Sequence, residues 1–189
     1  MDGDKLGSTL IIGGVRSGKS NYAQKLAIGL SQPVLFVATG EAGDEEMRLR
    51  IEEHKKIRPA SWRTLEVTTN VGQRIGEGLG TAQTVIVDCI TLLVSNVVNK
   101  HLDSRGELSD IHLIEEKVMM EIRGLIDCIN RDKAHFIIVT NEVGSGLMPI
   151  NRVGRLYCDL LGSANQILAQ WADVVLMMVA GLALRIKST

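Results

Sequence analysis

Short apolar runs recur along the chain, separated by longer stretches in which apolar residues return every three to four positions. Runs without strict alternation are typical of strands buried on both faces of a parallel sheet. The stretches with helical spacing predict the helices that cover those faces. The pattern therefore predicts an α/β fold, with a mainly parallel sheet and helices on both faces. The predicted strands are 9–12, 33–38, 62–67, 84–88, 134–140, 173–179 and 183–186, and the predicted helices are 21–30, 41–57, 71–79, 90–98, 110–130 and 153–172.

Composition narrows the class of protein further. The chain has 189 residues, of which 45% are apolar and 23% are charged. These proportions are typical of a globular protein, and the length predicts a single domain over residues 1–189. A formal net charge of −1 and an aromatic content of 3% argue against a surface that binds nucleic acid.

The cysteines and the apolar runs bear on location. Cys89, Cys128 and Cys158 are far apart and lack metal-ligand spacing, which is typical of unbridged thiols in a reducing compartment. Residues 1–8 are polar and form no apolar signal segment. No apolar run approaches the roughly 18 residues of a membrane span. We therefore predict a cytoplasmic protein without a membrane span.

A glycine-rich segment, GGVRSGKS, lies between the first predicted strand and the first predicted helix. It fits the pattern G-x-x-x-x-G-K-[ST], in which backbone N–H groups and a helix N-terminus surround phosphates. We expect Lys19 to act catalytically on the terminal phosphates and Ser20 to offer its hydroxyl to Mg²⁺. The motif predicts a P-loop NTPase-type domain that binds a nucleotide through Gly13, Gly14, Val15, Arg16, Ser17, Gly18, Lys19 and Ser20.

Asp88 ends the buried strand predicted at 84–88. P-loop proteins use an acid at the end of such a strand to hold Mg²⁺, directly or through water. We therefore predict that Asp88 holds the metal together with Ser20. As an alternative, Asp88 caps the helix that follows, and the two roles are compatible.

His54 differs from the other three histidines in its surroundings. His54 lies near the end of a charged predicted helix, one turn after Arg50 and beside Lys55 and Arg58. A neutral imidazole among cations can attack phosphorus while the cations hold the phosphate oxygens. From this chemistry alone, a half-exposed surface histidine is the stronger interpretation. For the others, we expect surface positions at His101 and His112 and a structural role at His135.

Several segments taken together resemble one family. They are GGVRSGKS at 13–20, ATG at 38–40, RIxxH at 50–54, RP at 58–59, WRTxE at 62–66, DCIT at 88–91 and TNEVG at 140–144, followed by Pro149 and Asn151-Arg152. The family is the bifunctional adenosylcobinamide kinase and adenosylcobinamide-phosphate guanylyltransferase. The resemblance covers nearly the whole chain, from residue 9 to residue 187.

The resemblance implies a two-step enzyme of adenosylcobalamin (vitamin B12) biosynthesis. It would phosphorylate adenosylcobinamide with GTP or ATP, and then transfer GMP from GTP to adenosylcobinamide phosphate. The second step would pass through a guanylyl-histidine, which the motif assigns to His54. The resemblance also implies Mg²⁺ and a homotrimer, and the small chain suggests a corrinoid groove between subunits. Further nucleotide-binding residues, by resemblance and by position, are Ala38, Thr39, Gly40, Lys55, Lys56, Ile57, Arg58, Glu66 and Asp88.

Two other functions stay open from the sequence. A monofunctional P-loop small-molecule kinase would use Lys19, Ser20 and Asp88, and would carry no covalent nucleotide on His54. A non-catalytic nucleotide-binding regulator would bind a nucleoside triphosphate without turnover. The role of three residues after the predicted strand at 134–140 stays open: Asn141, Glu142 and Arg152. They could bind the corrinoid or close a subunit interface, or this segment could form a structural turn.

Overall fold

A computed structural model describes residues 7–41, 45–56 and 58–188 of the chain. The strands of this part are β1 (Ser8–Gly13), β2 (Val34–Ala38), β3 (Arg63–Glu66), β4 (Thr84–Asp88), β5 (His135–Asn141), β6 (Val174–Val179) and β7 (Leu182–Ser188). The helices are α1 (Lys19–Leu30), α2 (Glu45–Lys56), α3 (Val71–Gly78), α4 (Ile90–Asn99), α5 (Ile111–Arg131) and α6 (Arg152–Trp171). No helix within these ranges is long and apolar enough to cross a bilayer.

All the strands belong to one sheet, in the order β3-β2-β4-β5-β1-β6-β7. The first six are parallel to their neighbours. The last strand, β7, is antiparallel to β6, because the two residues between them, Ala180 and Gly181, both have positive φ and form a hairpin turn. The predicted α/β fold with a mainly parallel sheet is confirmed.

The element bounds differ from the predicted ones by a few residues. Helix α1 begins at Lys19, two residues before its predicted start, because the end of the glycine-rich segment already forms the first helical turn. Helix α2 is described from Glu45 to Lys56, and the remainder of the predicted range near its ends, 42–44 and 57, lies outside the described residues. Strand β7 extends beyond its predicted range at both ends.

Two apolar layers cover the two faces of the sheet. Adjacent residues of a strand point to opposite faces, so Val85 and Val87 belong to one layer and Ile86 to the other. The first layer is shared with α3, α4, α5 and α6. The second is shared with α1, through Ala23 and Ala27. This arrangement holds the carboxyl ends of the parallel strands along one edge, where open α/β sheets bind ligands.

A polar cluster joins the amino ends of β1, β5 and β6. The Asp173 carboxylate accepts hydrogen bonds from the backbone N–H of Ser8 at 2.7 Å and from its hydroxyl at 2.8 Å. The His135 imidazole lies 3.4 Å from the hydroxyl of Thr9. Burial lowers the pKa of His135, while the charge of Asp173 acts in the opposite sense. We call Ser8, Thr9, His135 and Asp173 the strand-start cluster, and His135 has in it the structural position that the sequence predicts.

Candidate functional site

The glycine-rich segment connects the carboxyl end of β1 to the first turn of α1. Gly18 occupies the N-cap position with φ 94°, a left-handed conformation that glycine adopts without steric cost. Its carbonyl accepts a hydrogen bond from Tyr22 N–H at 2.9 Å, which begins the helix. The segment therefore has the strand–loop–helix context that a P-loop requires. Along it, Val15 is 70% exposed and Arg16 is also exposed, whereas Ser20 is half-buried on α1.

The loop is fixed by backbone contacts from two other parts of the sheet. Glu142 N–H, just after β5, donates to the carbonyl of Gly13 at 3.0 Å. Gly181 N–H, in the β6–β7 turn, donates to the carbonyl of Ser17, also at 3.0 Å. The loop therefore has a defined conformation before any ligand binds, which lowers the ordering entropy that binding costs.

Lys19 is only 8% exposed and lies against the loop. Its ammonium group donates to the carbonyl of Gly14 at 2.6 Å and lies 3.5 Å from the hydroxyl of Ser17. Its charge also acts on the Cys89 thiol, whose pKa burial and the charge of Asp88 raise to about 12. The charge of Lys19 therefore acts at the end of β4, where Asp88 lies.

Asp88 ends β4 beside Ala38, the last residue of β2. The N-cap position of α4 belongs to Cys89, so Asp88 does not occupy the capping position considered from the sequence. A carboxylate and a hydroxyl are oxygen donors of the kind Mg²⁺ prefers, so Asp88 and Ser20 fit the predicted metal by their chemistry. In the described ranges no group of three or more acidic, histidine or cysteine side chains forms a larger metal cluster.

Thr39 is fully buried and its polar groups contact other parts of the protein. Its hydroxyl donates to the carbonyl of Cys89 at 2.6 Å and accepts from the backbone N–H of Cys89 at 2.8 Å. Its own N–H donates to the carbonyl of Asp88 at 3.1 Å. Thr39 thus holds the segment that carries Asp88, and Gly40 follows half-buried at the same edge. The prediction that Ala38, Thr39 and Gly40 contact nucleotide stays a prediction.

Asn96 contributes to this edge and was missed by the sequence analysis. Its amide donates to the carbonyls of Thr39 at 2.8 Å and Thr68 at 3.1 Å, joining the segments that follow β2 and β3. The available signal was an amide among the apolar residues of helix α4, which also contains Thr91, Ser95 and Asn99. Buried amides in such surroundings hydrogen-bond to protein groups, but the pattern alone does not identify the partner.

Arg58 lies at the same sheet edge, in the connection between α2 and β3. Its guanidinium carbon is 3.6 Å from the centre of the Phe36 ring, a cation–π contact. Burial lowers the pKa of Arg58, whereas the negative charges of Asp88 and Glu66 act to raise it. The charge of Arg58 therefore responds to two strand-end carboxylates. Phe36, one of only two phenylalanines, was also missed, because an apolar position in a buried strand has no sequence signal for such a contact.

The predicted residues of α2 lie beside this group. Lys55 and Glu66 form an ion pair of 2.5 Å, and both side chains are about half exposed, which limits its contribution to roughly 0–1 kcal/mol. Lys56 is exposed at the end of the helix. His54 belongs to α2, but its side chain and the whole of Ile57 lie outside the described part of the structure.

The segment after β5 forms a turn of its own. The Glu142 carboxylate accepts hydrogen bonds from the N–H groups of Gly144 at 2.7 Å and Ser145 at 3.1 Å. Partial burial raises the pKa of Glu142, but these hydrogen bonds outweigh it and hold the pKa below its usual range. Asn151 caps α6 by accepting from Gly154 N–H at 2.6 Å. These contacts favour the structural interpretation of Glu142, while Asn141 and the exposed Arg152 stay open.

Together, the fold and the loop define a P-loop nucleotide-binding protein of the α/β class. The chain matches the model of the family described as cobinamide kinase / cobinamide phosphate guanyltransferase over residues 9–186. It belongs to that family, as the motifs predict.

Curated relatives agree over almost their full lengths. The bifunctional adenosylcobalamin biosynthesis protein CobU of Escherichia coli strain K12 is 37% identical over 179 residues, which cover 94% of this chain and 98% of the relative. The protein of the same name from Salmonella typhimurium strain LT2 is 39% identical with the same coverage. The bifunctional adenosylcobalamin biosynthesis protein CobP of Pseudomonas aeruginosa strain PAO1 is 35% identical over 178 residues, which cover 94% of this chain and 96% of the relative.

Proposed function

We propose that this chain phosphorylates adenosylcobinamide and then converts the phosphate to adenosylcobinamide-GDP by a guanylyl-histidine route. The observation that carries this proposal is the position of Arg58. It follows α2, the helix of His54, with its guanidinium against the Phe36 ring, and its pKa responds to the charges of the strand-end acids Asp88 and Glu66. One sheet edge thus combines a P-loop suited to phosphoryl transfer with a segment suited to covalent nucleotidyl transfer.

In the kinase step, the acceptor hydroxyl attacks the γ-phosphorus of GTP or ATP. A new O–P bond forms, the bond from the γ-phosphorus to the bridging β-phosphate oxygen breaks, the nucleoside diphosphate leaves with the electron pair, and the hydroxyl proton passes to solvent. Lys19 neutralises charge on the transferred group, and the ordered N–H groups of the loop from Gly13 to Ser20 hold the β-phosphate. Mg²⁺, held by Ser20 and Asp88, would supply further charge neutralisation.

In the guanylyl step, a ring nitrogen of His54 attacks the α-phosphorus of GTP. A P–N bond forms, the bond between the α-phosphorus and the bridging oxygen breaks, pyrophosphate leaves with the electron pair, and the imidazole loses a proton to solvent. A phosphate oxygen of the acceptor then attacks the same phosphorus, the P–N bond returns its electrons to the ring, and the ring takes a proton back from solvent. Lys55, Lys56 and Arg58 would hold phosphate oxygens, and covalent capture separates one displacement between anions into two.

We further propose that several copies of the chain assemble, as a trimer by the family resemblance, with the corrinoid in a groove between subunits. Leu182, Leu184 and Ile186 support this proposal. They lie on the edge strand β7 and are 61–75% exposed, with Leu182 and Leu184 on one face and Ile186 at the register shift opposite Val175 and Leu176. Apolar side chains grouped on an edge strand are typical of a surface that another chain covers.

Two further proposals concern the extent of the domain and the cellular location of the protein. We propose that residues 1–189 form one domain, which is supported by the single sheet that joins strands from Ser8 to Ser188. We propose a cytoplasmic enzyme, which is supported by the unbridged state of Cys89, Cys128 and Cys158 and by the cytoplasmic supply of nucleoside triphosphates.

The test is incubation with Mg²⁺ and GTP labelled on the α-phosphorus, followed by denaturing separation. We expect label on the wild type that is lost in acid and survives alkali, and no label on His54→Asn. The kinase rate of His54→Asn should stay within about twofold of the wild type. The matched control is His112→Asn, because His112 is a fully exposed histidine on α5 and its loss should leave labelling unchanged.

The opposite outcome identifies the main alternative. A folded wild type that phosphorylates adenosylcobinamide but takes up no label would contradict the guanylyl-histidine route and favour a monofunctional kinase. Nucleotide binding without turnover of either kind would favour a regulator.

A further inference from the structure

Phe36 and Trp62 form an aromatic pair beneath the connection between α2 and β3. Their ring centres are 6.5 Å apart and their planes differ by 21°, a stacked arrangement. Phe36 is 1% exposed in β2, and Trp62 is half-buried just before β3. We call these two residues the aromatic platform. It joins the second apolar layer of the sheet to the segment that follows α2.

The guanidinium of Arg58 lies on this platform and makes no direct ion pair with an acidic side chain of the described ranges, although the charges of Asp88 and Glu66 act on it. Its guanidinium lies 3.6 Å from the centre of the Phe36 ring. No hydrogen bond or ion pair from its side chain reaches another residue of the described ranges, and its buried Nε has no hydrogen-bond partner there. A guanidinium normally binds carboxylate or phosphate through its N–H groups. Contact through the ring face orients Arg58 and leaves those N–H groups available for a phosphate.

The platform also fixes the segment that follows Arg58. Trp62 N–H donates to the carbonyl of Pro59 at 3.0 Å, so the turn from Arg58 to Trp62 is closed by the residue that stacks on Phe36. Phe36 lies two residues before Ala38, which pairs with Asp88. The described contacts therefore run from Asp88 through β2 to the two rings and to Arg58, which follows the helix that carries His54.

We propose that Phe36 and Trp62 are positioning residues for guanylyl transfer. Their ring faces hold Arg58 and the end of α2 where His54 can meet the α-phosphorus of a nucleotide on the P-loop. This inference rests on the proposed function, since it concerns the residues that serve the guanylyl step. The kinase step uses the P-loop and Asp88, and no described hydrogen bond or ring contact joins either of them directly to the two rings, so we expect it to depend on the rings far less.

The experiment measures both activities of each variant, together with its thermal midpoint. We expect Trp62→Leu and Phe36→Leu to lower the rate of guanylyl-enzyme formation at saturating GTP at least about tenfold, as displacement of reacting groups does. Their kinase rates should stay within about twofold of the wild type. Trp62→Phe keeps a ring face and should recover most of the guanylyl rate.

The chain offers matched controls, because it contains two phenylalanines and two tryptophans. Phe136 is fully buried in the other apolar layer, and Trp171 packs against that layer at the end of α6. Phe136→Leu and Trp171→Leu remove the same groups at a distance from Arg58. We expect them to change the two activities in equal proportion.

Three results would overturn the proposal. The first is a guanylyl rate that stays at the wild-type level in both Trp62→Leu and Phe36→Leu. The second is a parallel loss of both activities, as in the controls, because that pattern marks a purely structural role. The third is absence of label on the wild type, which would overturn the proposed function and this inference together.

Discussion

At the scale of single residues, the P-loop depends on the absence of a side chain at Gly13. A Cβ atom there would lie 2.5 Å from the carbonyl oxygen of Met178 and 2.9 Å from the hydroxyl of Ser17. Both distances are shorter than van der Waals contact, and the first involves backbone of the neighbouring strand β6, which cannot move without disturbing the sheet. The identity of the first P-loop residue is therefore also a requirement of packing.

We expect Gly13→Ala to lower the free energy of unfolding by about 2 kcal/mol or more, as overpacking of a rigid site does. Gly14→Ala is the matched control, because a Cβ atom at Gly14 has no neighbour within 4 Å. It should change the free energy of unfolding by less than about 0.5 kcal/mol. Urea unfolding of both variants makes the comparison, and equal stability of the two would show that β6 yields to the extra methyl group.

Residue types with a strong chemical signature were predictable, and residues that act through contacts were not. The P-loop glycines, Lys19 and Asp88 are recognisable because their spacing follows from phosphate and metal chemistry. Thr39 was predicted at this edge, but its full burial and its bonds to the Cys89 backbone depend on strands that meet only in the fold. Phe36 acts through a ring face, which no spacing rule reveals.

At the scale of elements, the strand-start cluster joins β1, β5 and β6, and we expect its contribution to the free energy of unfolding to depend on pH. Because burial lowers the pKa of His135, the native state binds a proton less readily than the unfolded chain, where a histidine has a pKa near 6.5. This contribution to stability is fully present above that value. It is lost as the pH falls through 6.5 toward the pKa of the folded protein.

We expect the free energy of unfolding to decrease between pH 7 and pH 5, and the decrease to be shallower in His135→Gln. The matched control is His112→Gln, since the side chain of His112 is 97% exposed. Urea unfolding at several pH values measures the slopes. A slope for His135→Gln equal to those of the wild type and the control would contradict the prediction.

The elements themselves were predictable to within a few residues. The predicted strands are short apolar runs and the predicted helices are long stretches with helical spacing. Each segment therefore fitted only one of the two spacing rules. The pattern at 183–186 did not reveal whether this strand runs parallel or antiparallel to its neighbour, because the sequence of a strand alone does not determine that. The two-residue turn at Ala180 and Gly181 decides it, and that turn has no standard turn sequence such as Asn-Gly to signal a hairpin.

At the scale of the whole molecule, the apolar face of β7 makes assembly testable. We expect the wild type to have the mass of three chains in sedimentation, and Leu184→Lys to shift it toward one chain, because a charge replaces a side chain that is 64% exposed in one copy. Ile28→Lys is the matched control, since Ile28 is 54% exposed near the end of α1, which packs mainly on β4 and β5.

Two outcomes would contradict this proposal. A wild type that sediments as a single chain would exclude the trimer. A trimer that Leu184→Lys leaves intact would show that the face of β7 is not covered by another copy.

The backbone contacts of the P-loop also determine when the site can form during synthesis. Residues 13–20 leave the ribosome early, but β1 pairs only with β5 and β6, and the loop is bonded at Glu142 and Gly181. At about 5–20 residues per second, those partners follow roughly 6–30 seconds later. Until then the apolar residues Leu10 and Ile11 cannot be buried in the sheet. Nucleotide cannot stabilise the chain either, because its native binding site has not formed. We therefore expect protection of the nascent chain to depend on chaperones rather than on the nucleotide supply of the cell.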